Sequence, residues 1–509
     1  MIKRELSGQM EQLMNRNLNA GMAMLEGIKS LQTFWTGIFR YTNTFMEPAW
    51  PASRCFYEVE KQKILTTSPL ENYFDYVSLF QMNLGLMTEG AAGAFKTMGD
   101  LNFPEAQTAF MSFIDAFSDP NGEKLLRLLK QGSSALETLV HHYPKAIKAA
   151  KKDFGVHPER GDVTLVAETQ RFYLYRVTPS VKNIKLGNTG KPVLVIPPYV
   201  LGSNILMFLR GKKKSYVNAF ADQGIPTYLR VLKTVSNTPA VQEMAPEDDC
   251  MDMAYFLSEI KKIHNKKVTL NGYCQGGFVA LINLLSGRLD NLVDALVTCV
   301  SPIDGTKSIS LKNYYTLLPD RFRDMGHSVK TLDTGHKVVD GEVMSWVYKI
   351  MSMGKESPVA AFYRDLSMFL MQKGKIKINT TAAALNYWLA YERTDIPKKI
   401  CDFSFITYNK SISDDGTLPV TLFGRKLNFS HLKKTNIQYH ISIAEQDDLV
   451  DGDCAKAPLN HVDAELCVFP KGHLGIATSW SHPESACALH TRFGKNYRGP
   501  VRFHLDLES

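Results

Sequence analysis

Residues 266–281 read Lys-Lys-Val-Thr-Leu-Asn-Gly-Tyr-Cys-Gln-Gly-Gly-Phe-Val-Ala-Leu. The β-forming run ends at Gly272, and apolar residues return at helical spacing from Phe278 onward, so the pattern predicts a strand that turns sharply into a helix. Cys274 lies on that turn. In a nucleophile elbow, flanking glycines permit the tight turn that exposes the nucleophile and aims the next backbone N–H at the developing oxyanion. We therefore predict that Cys274 is a nucleophile, the alternative being a buried structural cysteine.

Length and composition favour a multidomain globular protein. The chain has 509 residues, of which 44% are hydrophobic and 22% charged, so two or three domains without long disordered segments are expected. The N-terminus lacks the apolar core of a signal peptide, and no run of about 18 apolar residues occurs. We therefore expect a cytoplasmic protein without a transmembrane segment.

Cysteine usage and charge narrow the chemistry. The eight cysteines include no C-x-x-C pair, which without a signal peptide suggests reduced thiols, as a thiol nucleophile requires. The net charge of +8 favours polyanionic partners only weakly, and no nucleic-acid-binding motif is present, so no nucleic acid is expected. No pair of His or Cys has ligand spacing beside a suitable carboxylate, and neither a metal nor another cofactor is expected.

The first part of the chain, residues 1–153, is predicted to form a helical domain. Apolar residues from Met10 to Leu31 recur at steps of three or four, the spacing of one helix face. The lysine-rich segment 145–152 is interpreted as a solvated helix face, with CoA phosphates or an anionic surface as the alternative. Two prolines in residues 47–51 predict a connection between helices.

Residues 154–509 are predicted to form an α/β domain with a mostly parallel sheet, because strands alternate with helices. Between about 305 and 400 the alternation stops. We expect this segment to be a lid inserted at the sheet edge where α/β active sites form. The predicted strands cover residues 163–167, 172–177, 192–196, 227–231, 266–272, 295–300, 437–443 and 464–469.

Two further residues stand directly after predicted strands. Asp447 follows strand 437–443, and His473 follows strand 464–469. The order nucleophile, acid, histidine is that of the α/β-hydrolase triad. A surface carboxylate and an ordinary loop histidine are the alternatives, but three role-bearing residues in one consistent order favour a Cys274–His473–Asp447 triad.

Several separated blocks resemble the polyhydroxyalkanoate synthase family. The most specific is 272–277, Gly-Tyr-Cys-Gln-Gly-Gly, a Cys-containing elbow followed by two glycines. A helical segment ahead of the hydrolase-like domain is also similar to the longer synthases. The chain departs from the family's pattern at 232–236, where a Trp-x-Asn-Pro block is usual. The other similar blocks are 154–158, 172–176, 195–200, 204–206, 386–397, 422–424, 427–428 and 472–475.

The resemblance implies an α/β-hydrolase fold that polymerises (R)-3-hydroxyacyl-CoA, as in poly-3-hydroxybutyrate synthesis, and releases CoA. Cys274 would hold the growing acyl chain as a thioester, and His473 would deprotonate the thiol or the incoming hydroxyl. Asp447 would orient His473 or help activate that hydroxyl. The backbone N–H groups of Val200 and Gln275 would bind the oxyanion.

The resemblance also implies partners and a location. The CoA thioester is a substrate and not a cofactor, the growing polyester and the polymer granule surface are partners, and a homodimer is expected.

Hydrolysis is the open alternative, by an intracellular polyhydroxyalkanoate depolymerase or an acyl-CoA thioesterase, because related depolymerases also use Cys-containing hydrolase folds. A non-catalytic scaffold is a third alternative, although a scaffold has no reason to keep all three triad residues.

Overall fold

A computed structural model of the chain describes residues 2–119, 121–182, 184, 191–309, 318–323, 325–372, 374–479, 492–493 and 497–498. Within them, eight strands form one large sheet. The strand bounds are β1 Val163–Glu168, β2 Phe172–Val177, β3 Val193–Ile196, β4 Thr227–Leu232, β5 Val268–Tyr273, β6 Val293–Cys299, β7 Val329–Thr331, β8 Lys337–Val339, β9 Ile396–Pro397, β10 Thr417–Leu422, β11 Arg425–Asn428, β12 Gln438–Ala444, β13 Glu465–Phe469, β14 Arg492–Phe493 and β15 Tyr497–Arg498.

The large sheet has the strand order β1-β2-β4-β3-β5-β6-β12-β13. Strand β2 runs antiparallel to both of its neighbours, whereas every other adjacent pair is parallel. A mostly parallel sheet with a strand-to-helix elbow after β5 is the α/β-hydrolase fold. The predicted fold class is therefore confirmed, and each of the eight predicted strands is present to within two residues at either end.

Strands β3 and β5 are adjacent in the middle of the sheet and are buried along their whole length. The β3 sequence is accordingly all Val, Leu and Ile, because helices cover both faces of a parallel sheet. In the register of the pair, Ile196 lies opposite Gly272. The loops that follow β3 and β5 therefore begin side by side at the carboxyl edge of the sheet, where ligands bind in folds of this kind.

The helices surround the sheet or form a separate cluster. The N-terminal region is helical, as predicted. The predicted connection at 47–51 is present but shorter: Glu47 and Pro48 form the turn between two helices. The second helix begins at Ala49 and contains Pro51 in its first turn, where a missing N–H removes no intrahelical bond. The α-helix bounds are Ile2–Met46, Ala49–Lys63, Pro69–Phe117, Glu123–Glu137, Tyr143–Ala149, Tyr216–Ala221, Pro239–Gln242, Pro246–His264, Gln275–Leu285, Gly341–Met351, Met353–Glu356, Pro358–Leu370, Thr380–Tyr391, Lys398–Asn409, Ser430–Lys434, Gly452–Lys456 and His473–Ser479.

The chain divides into two compact units, each built from segments that are distant in sequence. The helical unit comprises Met1–Trp50, Tyr73–Ala150 and Trp346–Ala390, and the sheet lies in the other, which comprises Pro51–Asn72, Lys151–Ser345 and Tyr391–Ser509. The core of the helical unit includes the buried residues Leu139, Tyr143, Phe362 and Phe369.

The described residues contain neither a membrane-spanning helix nor a disulfide. No helix in the ranges given above is long and apolar enough to cross a membrane. The seven cysteines of the described segments are all buried, and none of them forms a disulfide.

Candidate active site

The elbow holds Cys274 in a conformation that non-glycine residues rarely adopt. Cys274 has φ 52° and ψ −126° and stands between β5 and the helix Gln275–Leu285, which we call the elbow helix. Its N–H donates to the carbonyl oxygen of Cys299 at 2.7 Å, and its carbonyl oxygen accepts from the N–H of Gly277 at 2.9 Å. A strained turn of this kind directs a nucleophile out of the sheet edge.

The glycines around Cys274 are required by close backbone approach. A Cβ on Gly276 would lie inside contact distance of the carbonyl oxygen of Ile196 in β3. A Cβ on Gly277 would lie 2.9 Å from the carbonyl oxygen of Gly272, tighter than real Cβ atoms allow. Side chains at these positions would force the elbow helix away from β3 and β5, so the glycine pattern read from the sequence has a steric cause.

Asp447 and His473 come together at the carboxyl edge of the sheet. The Nδ1 of His473 lies 2.9 Å from Oδ2 of Asp447, and their side chains are 3% and 1% exposed. The other Asp447 oxygen accepts from the N–H groups of Leu449 and Val450 at 3.0 and 2.9 Å. The carboxylate is thereby fixed in one orientation, and it fixes the imidazole in turn. Asp448, the next residue, is exposed.

The electrostatics of His473 depend on its two neighbours. Burial lowers the pKa of His473, but the negative charge of Cys274 and the hydrogen bond to Asp447 outweigh burial and raise the pKa to about 10. Within the described segments, His473 Nε2 is buried and has no hydrogen-bond partner of ordinary geometry. The imidazole is therefore protonated at neutral pH, and its second nitrogen is available to the thiol or to a substrate.

Tyr273, the residue before the nucleophile, also holds the histidine. Its hydroxyl donates to the backbone carbonyl oxygen of His473, and the two rings meet edge to face with centroids 5.8 Å apart. Burial raises the pKa of Tyr273 well above its ordinary value, so the hydroxyl stays protonated and remains a donor. Sequence reasoning missed this contact, because the two residues are separated by most of the hydrolase-like domain.

The two expected oxyanion donors lie on adjoining backbone segments. Gln275 is the first residue of the elbow helix, and the first N–H groups of a helix have no intrahelical partner. The Val200 N–H, in the loop after β3, donates no hydrogen bond to any residue that the structure describes. The Gln275 Oε1 accepts from the N–H of Tyr199 at 3.2 Å, which joins that loop to the elbow.

The helix Lys398–Asn409 packs against the elbow. Its Ser404 hydroxyl accepts a hydrogen bond from Gln275 Nε2 at 3.0 Å, and its Phe403 ring lies 6.3 Å from that of Phe278. This helix follows the segment predicted as a lid, and the sequence analysis did not assign it to the site. A single serine in a helix of mixed polar and apolar residues offers no local signal for such a contact.

No grouping of three or more His, Cys, Asp or Glu side chains suited to a metal ion occurs among the described residues. The groups that the site offers are a thiol, an imidazole, a carboxylate and backbone N–H donors. Together they can perform nucleophilic acyl transfer with general acid–base catalysis.

No family model and no curated protein sequence matches the chain. The solved structures that it resembles include a carboxylesterase of the thaumarchaeon Nitrososphaera gargenis, at 10% identity and TM-score 0.34 over 62% of this chain and 92% of that one. A second is brefeldin A esterase, a bacterial homologue of human hormone-sensitive lipase, at 12% identity and TM-score 0.33 over 66% of this chain and 80% of that one. A third is a bromoperoxidase from Bacillus anthracis, at 13% identity and TM-score 0.31 over 62% of this chain and 93% of that one. Similarity at this level identifies neither a family nor a reaction.

Proposed function

We propose that this protein is an acyltransferase of the polyhydroxyalkanoate synthase type, which polymerises (R)-3-hydroxyacyl-CoA through a thioester on Cys274. The observation that carries the proposal is a cysteine at the strand-to-helix elbow, at the same edge of the sheet as a buried His473 whose Nδ1 lies 2.9 Å from the Asp447 carboxylate. A thiolate is a strong nucleophile, and its attack on a CoA thioester exchanges one thioester for another. The step is therefore close to neutral in free energy, and a thiol suits this donor.

In the first half-reaction, the Cys274 sulfur attacks the thioester carbonyl carbon. The new carbon–sulfur bond pushes an electron pair onto the carbonyl oxygen, and the N–H groups of Val200 and Gln275 bind that oxyanion. When the tetrahedral intermediate collapses, the bond to the CoA sulfur breaks. The leaving thiolate takes the proton of the His473 imidazolium and departs as CoA.

In the second half-reaction, His473 acts as a base. It takes the proton of a 3-hydroxyl group as the hydroxyl oxygen attacks the Cys274 thioester, and the same N–H groups bind the second oxyanion. Collapse forms an oxygen ester and releases the cysteine as a thiolate beside the reprotonated imidazole. Asp447 stabilises the imidazolium and holds its orientation, and each cycle lengthens the polyester by one unit.

Burial of the site supports transfer to a hydroxyl over hydrolysis. Cys274 is 8% exposed, and the side chains of His473 and Asp447 are 3% and 1% exposed. A substrate that fills such a site displaces the remaining water, so a bound hydroxyl competes well as the acceptor. The helix Lys398–Asn409, which packs against the elbow, would provide part of this cover.

Three of the sequence blocks that resemble the synthase family meet at one residue. The Asn204 Oδ1 accepts from the N–H of Val156 at 3.1 Å, and its Nδ2 donates to Glu392 Oε2 at 2.9 Å. Gly155 leaves room for this amide, because a Cβ there would lie 2.7 Å from the Asn204 side chain. The resemblance therefore extends to residues whose side chains depend on one another.

The test is a product assay. The protein and its Cys274→Ala variant are each given (R)-3-hydroxybutyryl-CoA, and CoA, chloroform-soluble polyester and free 3-hydroxybutyrate are measured. We expect CoA and polyester from the unmodified protein and neither from the variant. Free acid as the only product would replace the synthase by a thioesterase, and no turnover with 3-hydroxyacyl-CoA of any chain length would favour the depolymerase or the scaffold.

A further inference from the structure

A buried network of polar side chains contacts the loop that contains Val200, through the neighbouring Tyr199. Its centre is Asp249, in the first turn of the helix Pro246–His264, whose side chain is 2% exposed. The Asp249 Oδ2 lies 2.8 Å from Arg230 Nη1 and accepts a hydrogen bond from the Tyr199 hydroxyl. Its Oδ1 accepts from Asn283 Nδ2 at 2.7 Å. Each oxygen of the carboxylate thus has a protein partner.

The network joins the elements that build the site. Arg230 belongs to β4, Asn283 to the elbow helix, and Tyr199 to the loop after β3. The Arg230 side chain is 2% exposed and its guanidinium stacks over the Phe172 ring at 4.3 Å. Removing two charges from water is unfavourable, so a buried ion pair is weak evidence of a role in stability. A fixed geometry is the more direct consequence of such a fully bonded carboxylate.

Tyr199 is held at both ends. Its hydroxyl bonds to Asp249, and its backbone N–H donates to Gln275 Oε1 at 3.2 Å. The ring is buried, with 4% of the residue exposed. The next N–H along the chain is that of Val200, which is left without a partner in the described part of the chain. Because the peptide unit is planar, fixing Tyr199 restricts the direction in which the Val200 N–H points.

We propose that Tyr199, anchored by Asp249, is a positioning residue that aims the Val200 N–H at the oxyanion. The inference rests on the proposed acyl transfer through Cys274. Asp249 acts on both donors, because it holds the loop through Tyr199 and the elbow helix, which begins with Gln275, through Asn283. An oxyanion donor contributes only when it is preorganised before charge develops, and this network supplies the preorganisation.

The test removes one hydroxyl and separates two reactions of the same thiol. Tyr199→Phe deletes the bond to Asp249 and keeps the ring. The matched control is Tyr439→Phe, which deletes another buried tyrosine hydroxyl, 3.1 Å from Thr298, near the opposite end of the sheet. Both variants and the unmodified protein are assayed for CoA release from (R)-3-hydroxybutyryl-CoA, for the nitrophenolate burst from 4-nitrophenyl acetate, and for alkylation of Cys274 by iodoacetamide.

Alkylation needs a thiolate but forms no oxyanion, whereas both acylations form one. We expect Tyr199→Phe to lower kcat for CoA release and the burst rate by about tenfold or more, with KM and the pH profile unchanged. Alkylation and the melting temperature should stay close to those of the unmodified protein. Tyr439→Phe should leave all of these measurements unchanged.

Three results would overturn the proposal. Unchanged acylation in Tyr199→Phe would show that the hydroxyl does not orient Val200. An equal fall in acylation and alkylation, or a collapsed melting curve, would give the hydroxyl a general structural role. Failure of the proposed function is distinguishable, because it appears as a nitrophenolate burst without CoA release in the unmodified protein, and the burst then still reports on Tyr199.

Discussion

Replacing Asp447 by asparagine should expose how far the reactivity of Cys274 depends on a distant carboxylate. Asparagine keeps the size of the side chain and removes its charge. In the native site the pKa of His473 is raised to about 10, so the imidazolium persists through neutral pH and is lost only as the pH rises through that value. Without the carboxylate the pKa of His473 falls. The imidazolium then gives its proton to the Cys274 thiolate more readily, and the neutral thiol that results is a poor nucleophile.

The magnitude follows from the contact. The His473 Nδ1 and Asp447 Oδ2 atoms are 2.9 Å apart in a site from which solvent is nearly excluded. An opposite charge at this range moves a pKa by about one to three units, or about 1.4–4 kcal/mol. The equilibrium between the imidazolium–thiolate pair and the neutral pair should shift by about ten- to thousandfold toward the neutral form. We expect alkylation of Cys274 at pH 6.5 to slow by at least about tenfold.

Iodoacetamide labelling from pH 6.5 to 8.5, read by mass spectrometry of the Cys274 peptide, measures this effect. The peptide readout separates Cys274 from the other thiols, and three of these react slowly, since burial raises the pKa of Cys250 to about 11 and those of Cys401 and Cys454 to about 12. The rate for a free thiol rises about fiftyfold over this interval. The native protein should show a nearly flat profile, and Asp447→Asn should show a rising one.

The matched control is Asp448→Asn, which removes the same charge from the adjacent, exposed residue. It should keep the flat profile. A native rate that itself rises about fiftyfold would refute the imidazolium–thiolate pair. Equal slowing in the two variants would refute the specific role of Asp447 and assign the effect to the local charge of the loop.

Two further predictions concern the same elbow. His473→Gln should lower CoA release by about three orders of magnitude or more, because the members of a triad act as a unit, and added imidazole should restore part of it; a variant with nearly native release would exclude His473 as the base. Gly276→Ala should lower the free energy of unfolding by about 1–3 kcal/mol or more, because its Cβ would collide with the Ile196 carbonyl. The control Gly132→Ala lies on a helix with nothing within 4 Å of the new Cβ, and it should raise the free energy of unfolding by about 0.5–1 kcal/mol. Urea denaturation measures both variants, and similar free energies of unfolding for them would contradict the steric explanation of the elbow glycine.

The elbow and the convergence of Asp447 with His473 could be predicted from the sequence. A tight strand-to-helix turn restricts only a few consecutive residues, so its demand for glycine at 276 and 277 is visible in one short segment. The carboxyl ends of parallel strands meet at one edge, and residues such as Asp447 and His473 that follow separate strands were therefore expected to converge. Sequence order alone sufficed for that prediction.

Other features depend on which elements pack together, and no local pattern reports that. Helical periodicity predicted an apolar face from Met10 to Leu31 that needs a partner, but most of that face is exposed in the structure. Only the packing shows that Leu139 and Phe362 belong to one core. The Asp249–Arg230–Tyr199 network is equally invisible in sequence. A charged or hydroxyl side chain is solvated by default, and these become a buried, mutually bonded set only because a helix, a strand and a loop exclude water around them. The sequence determines a local turn and the order of reactive groups, whereas desolvation and side-chain partners arise only once distant segments are in contact.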